Sequence, residues 1–73
     1  MPEYSRILIE QYCMDHSKTK KAKFLWGMVQ MSYNIDCKID DPDLLYLEQL
    51  ISREKNPELK EALQDLDDFM CGY

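Results

Sequence analysis

Apolar positions recur along this chain at three- and four-residue steps in four separate runs, with helix-starting residues at the boundaries between them. Two boundaries share one grammar, Asp41-Pro42-Asp43-Leu44 and Asn56-Pro57-Glu58-Leu59. A short polar residue there can cap free N–H groups. The proline needs no hydrogen-bond partner and has its φ set for the first turn, and the following acid faces the positive end of the helix dipole. The pattern therefore predicts one helix between the two signals and another after the second.

The remaining runs predict two more helices. Tyr4, Ile7, Leu8 and Tyr12 mark a helix from Pro2 to about Met14, and polar Asp15-His16-Ser17-Lys18-Thr19 reads as a break before a second, from about Thr19 to Tyr33. One bent helix running on to residue 33 is the alternative. At 100° per residue the second helix is apolar nearly all round. Ala22, Leu25, Trp26, Val29 and Tyr33 gather on one side, and Phe24, Met28, Met31 and Ile35 on the other. Residues 34–40 form a loop, with Ile35 and Ile39 as inward candidates. The third helix offers Leu44, Leu47, Leu50 and Ile51 as its buried edge, with Leu45 and Tyr46 outside it. The fourth offers Leu59, Ala62, Leu63, Leu66, Phe69 and Met70, with Lys60, Glu61, Gln64, Asp65, Asp67 and Asp68 facing water and Gly72 as a closing cap. The predicted fold is all-α: a compact bundle of three to four short helices with a C-terminal αα-hairpin, in one domain covering residues 1–73.

Size sharpens this picture. Seventy-three residues lie near the lower limit for a self-supporting core. Three cysteines, an odd count, with no signal peptide argue against a disulfide scaffold and for a reducing, cytoplasmic setting. No apolar run approaches the roughly 20 residues that span a bilayer, so no membrane partner is expected. A small core without a staple makes self-association, as a homodimer, a reasonable expectation.

Charge is unevenly placed within a net −5. Residues 1–35 carry five basic and three acidic side chains, whereas residues 36–73 carry four basic and eleven acidic ones. Asp65, Asp67 and Asp68 sit toward the negative end of their helix, a placement that a basic partner would reward. Lys18, Lys20, Lys21 and Lys23 crowd the positive end of the second helix, which is also unfavourable unless the first helix runs on through them.

Chemistry-bearing groups are scarce. There is one histidine, and the phosphate-loop, nucleophile-elbow and H-E-x-x-H motifs are absent. Cys13 and His16 stand three apart but lack an orienting third group. Cys13, His16, Cys37 and Cys71 have the ligand count of a Cys3His zinc site, but only the first two form a local pair, so buried thiols are the simpler expectation. Asp36, Asp40, Asp41 and Asp43 lack the glycine and the glutamate of a calcium loop, Leu47 standing at the twelfth position. No cofactor and no enzymatic activity are expected.

The sequence thus favours a non-enzymatic protein-interaction module: a small acidic regulator, inhibitor or adaptor covering a site on a larger protein, a profile shared by phage-type accessory proteins. Phe24, Trp26, Met28 and Met31 would supply the apolar anchor, and Asp65, Asp67 and Asp68 the steering toward a basic surface. Two alternatives use other features. A helix-turn-helix-like regulator would bind nucleic acid through the Lys18–Lys23 patch, against the net charge and without a helix rich in base-reading side chains. A homodimeric structural protein would bury the Phe24/Met28/Met31 face in itself.

Overall fold

The computed structural model describes residues 2–33 and 39–71, and all regular structure among them is helical. Four helices follow in chain order: α1 (Glu3–Asp15), α2 (Lys20–Met31), α3 (Asp41–Arg53) and α4 (Pro57–Met70). No helix among the described residues is long and apolar enough to cross a membrane.

The break between α1 and α2 is real, and Thr19 explains it. Its hydroxyl donates to the His16 carbonyl at 2.8 Å and accepts the Ala22 N–H at 3.1 Å, tying off one helix and capping the next. Asn56 caps α4 in the same way, accepting the Glu58 N–H at 3.0 Å, with Pro57 in the first turn. At α3 the start slips by one residue. Asp41 is already helical and Asp40 is the cap, but its side chain makes no capping bond. Of two adjacent aspartates, the first takes the extended backbone. α2 closes on Ser32, whose hydroxyl donates to the Val29 carbonyl at 2.6 Å. The proposed Gly72 cap, Ile35 and Cys37 lie outside the described residues.

α1 packs most closely against α4, then against α2, and α3 packs against α4. The expected hairpin of α3 and α4 therefore rests on the N-terminal helices chiefly through α4. Each helix sends a fully buried side chain to one core: Ile9 from α1, Leu25 and Val29 from α2, Leu47 from α3, and Leu63 and Leu66 from α4. α2 and α3 meet through long side chains. The Phe24 and Tyr46 rings stand edge to face with centroids 4.6 Å apart. The Lys21 ammonium reaches the Glu54 carboxylate at 3.1 Å.

Two amphipathic assignments change in three dimensions. Tyr46, expected outside, is half-buried against Phe24, and Leu44 is only half-buried. On α4, Phe69 turns out to solvent while Asp67 turns in, because the stripe continues from Leu63 and Leu66 along the 3.6-residue period through Asp67 and Met70.

Replacing Thr19 or Asn56 by Ala should each cost about 1 kcal/mol of stability, whereas Asp40→Ala should cost under about 0.5 kcal/mol, only a dipole term being lost. Urea unfolding followed by circular dichroism ranks the three; an equal loss at Asp40 would contradict the capping geometry.

Candidate functional site

Three features could do work at the surface: the residues of α2, the acidic end of α4, and the lysines around the α1–α2 turn.

On α2 the structure corrects the expected exposed face. Met28 is only 4% exposed and belongs to the core, and Phe24 and Met31 are half-buried against it. Trp26 turns outward instead and is 44% exposed. The reason is neighbourhood. α1 covers the side of α2 carrying Ala22 and Val29, α3 reaches the Phe24 side through Tyr46, and Met28 falls between them. Trp26 sits at the edge facing α1. Across from it Met14 is 62% exposed, and Ile7, one heptad earlier on the same side of α1, is 50% exposed.

Met14 and Trp26 form the two walls of an open groove of about 270 Å³, with Cys13 and Ala22 beneath and Ser17 and Lys23 at its edge. The sequence pattern marks Met14 only as the end of α1, because its pairing with Trp26 depends on the antiparallel return of α2. That return is shown at the far end, where Tyr33 accepts from Arg6 at 2.7 Å and donates to Glu10 at 3.2 Å.

The acidic residues of α4 do not form one presenting face. Asp65 accepts from the Ser5 hydroxyl at 2.5 Å across the α1–α4 contact. Asp67 is buried and accepts from the Cys71 thiol at 3.5 Å. Asp68 faces water and accepts from Gln64 at 3.2 Å. Two of the three carboxylates are thus turned toward the fold itself, which removes them as an exposed steering surface.

The lysines divide as well. Lys21 pairs with Glu54 and lies 4.9 Å from the Tyr12 ring centre, and Lys20 lies 5.6 Å from that of Tyr46. Lys18 and Lys23 are exposed and have no ion pair among the described residues.

The sulfur chemistry stays quiet. Burial, with a smaller contribution from the Glu10 charge, pushes the Cys13 thiol up; burial and the hydrogen bond to Asp67 push Cys71 up. Raised thiols are protonated at neutral pH and poor nucleophiles. His16 stacks on Tyr12 with centroids 4.5 Å apart. Among the described residues no group of three His, Cys, Asp or Glu side chains could hold a metal ion, and Cys37 of the considered zinc set lies outside them.

Against known protein families, curated proteins and solved structures, the chain matches none.

Met28→Glu should unfold the protein, because it places an unpaired charge in the core. Trp26→Ala should leave the fold intact at a cost of about 1 kcal/mol, the centre of the range for point substitutions, because its side chain is partly covered. Thermal melts of the two variants test this inversion of the expected faces. Cys13 adds a pH dependence. Its folded-state pKa lies above the unfolded value of about 8.5, so its contribution is intact below that pH and is lost as pH rises through the folded value. Stability of the wild type should therefore fall more steeply above about pH 8.5 than that of Cys13→Ala, in unfolding titrations at stepped pH.

Proposed function

We propose that this protein is a non-enzymatic protein-interaction module that docks a larger protein partner through the outer face of α1 and α2. The observation that carries the reading is the open apolar groove between Met14 and Trp26, continued along α1 by Ile7. Large apolar side chains gathered on one face of a small domain mark a contact surface more often than a solvated one. Tryptophan is among the residue types enriched at the energetic anchors of interfaces.

Gly27 adds weight. A glycine inside a helix costs roughly 0.5–1 kcal/mol relative to alanine, yet a Cβ at Gly27 would meet nothing within 4 Å. Packing within the described residues does not require a glycine there, and a close approach by a partner on that side of α2 is one reason for it.

The set of anchor residues is thereby narrowed: Trp26 remains an anchor, Met14 and Ile7 join it, and Met28 acts through the core. Acting as a regulator, an inhibitor or an adaptor would each use the same face, and all three require only that a partner site be covered.

Affinity capture from lysate of the source cell, with wild type and the surface variant Met14→Glu side by side, tests the reading. One protein recovered near equal stoichiometry by wild type, and lost with the folded variant, is the expected result. Recovery of nucleic acid alone, or a stable dimer of the wild type by light scattering that the variant abolishes, would overturn it in favour of the lysine patch or of self-association.

A further inference from the structure

Resting on that reading, we infer that the groove between Met14 and Trp26 receives an acidic amphipathic helix, one or two of whose apolar side chains enter the groove while its carboxylates meet Lys18 and Lys23. Volume, local charge and an unresolved conflict within α2 point to the same occupant.

The groove of about 270 Å³ lies at the lower edge of the roughly 300–1,000 Å³ of small-molecule sites. A volume of that order admits one or two large side chains. Its walls and floor are apolar, with Met14, Trp26, Cys13 and Ala22 supplying them. Recognition of a helix by such a groove reads a few anchors at helical spacing, and the surrounding charge selects among helices.

The charge on this side is basic although the whole chain is acidic. Lys23 stands at the groove edge and Lys18 in the adjoining turn, both free of ion pairs among the described residues. Asp15, the acid nearest in sequence, is exposed in the same turn as Lys18 and accepts a hydrogen bond from Gln11 at 3.2 Å; it offsets part of the local positive charge and leaves Lys23 as the cation at the groove edge. Lys21 and Lys20 are engaged by Glu54 and Tyr46. Of the lysines around the α1–α2 turn, Lys23 lines the groove, and Lys18 follows Ser17, which lines its edge.

The conflict lies in the helix dipole. Because α1 and α2 are separate helices, Lys20, Lys21 and Lys23 occupy the first turn and a little beyond of α2, with Lys18 just before it, and no acid stands in that first turn. Positive charge there opposes the dipole. The fold supplies a partial answer at Lys21 and none at Lys18 or Lys23. Carboxylates on a docked helix would satisfy both lysines and the helix terminus together. A single-stranded nucleic acid would also bring negative charge and could stack on Trp26, but the groove is lined mainly by apolar side chains, and the acidic remainder of the chain opposes an extended polyanion.

Selection of a helix-biased peptide display library on the full chain tests this, with the winning peptides then synthesised and titrated by emission of Trp26, the sole tryptophan. The expected winners carry large apolar residues at i and i+3 or i+4 flanked by Glu or Asp, shift the Trp26 emission to the blue, and bind the double variant Lys18→Glu/Lys23→Glu at least about tenfold more weakly, as expected when favourable close charge pairs become repulsive. That variant relieves the dipole conflict, so it keeps its fold. Winners that are neutral or basic, yet still lost with Met14→Glu, would overturn the acidic preference and leave the docking face standing. Winners indifferent to Met14→Glu, or no winners, would overturn both. Displacement of the peptides by a 12-nucleotide single-stranded DNA at comparable concentration would overturn the helix in favour of a nucleic acid.

Discussion

Everything in this fold hangs on the contact between α1 and α4, the first and last helices. Ser5 and Asp65 meet across it, 60 residues apart in sequence, and Ile9 lies in the same core as Leu63 and Leu66. Closing so long a loop costs conformational entropy that local structure cannot return, so no part of the core is complete until the chain's two ends have met. The other contacts are local extensions of this one. α2 folds back on α1, α3 is joined to α4 by a short turn capped at Asn56, and the ring closes where Phe24 meets Tyr46 and Lys21 meets Glu54.

That arrangement decides which surface is left over. α1 is covered on two sides, by α4 and by α2, and its third side carries Ile7 and Met14 into solvent. α2 is covered by α1 and reached by Tyr46 from α3, so the residue between the α1 edge and open solvent is Trp26. The apolar groove is therefore a consequence of how few helices there are. Four short helices enclose one core, and the sides of α1 and α2 turned away from it have nothing within the chain to cover them. In a domain of this size net stability is only a few kcal/mol, and large apolar side chains on such a surface give up burial that the core could have used.

The helices were legible because their ends are written in short-range chemistry. Asn56-Pro57 needs no tertiary information to start a helix, and neither does the polar turn from Asp15 to Thr19, whose threonine carries the cap. The one-residue slip at Asp40 and Asp41 shows the limit of that grammar, since two neighbouring caps compete and backbone conformation decides. The site was less legible for a different reason. A helical wheel gives the angle of each side chain but not the sector that neighbours will cover. For α2, Met28 and Trp26 were equally eligible for either fate. For α4, the ends of the stripe at Asp67 and Phe69 were equally ambiguous, and Ser5 opposite Asp65 could not be foreseen because the pairing of α1 with α4 is not local. The groove itself combines Met14 with Trp26, two residues of separate helices, and no periodicity in either run announces the pair.

Charge acts on two length scales here, and the difference bears on what the groove can recognise. The net charge of −5 belongs to a molecule of 29 × 24 × 22 Å, and its repulsion of an acidic partner is felt across the whole surface only when salt is low. At about 0.15 M ionic strength screening confines interactions to roughly 8 Å, so a carboxylate approaching the groove senses Lys23, Lys18 and Asp15 more than the remote acids of α4. Local lysines then select and orient, while the acidic remainder still discourages long polyanions that must lie along more of the surface. On the proposed reading, a basic edge beside an apolar groove on an acidic body would discriminate by the size of the negatively charged object. A short acidic helix would fit within the basic patch, whereas an extended nucleic acid would overrun it.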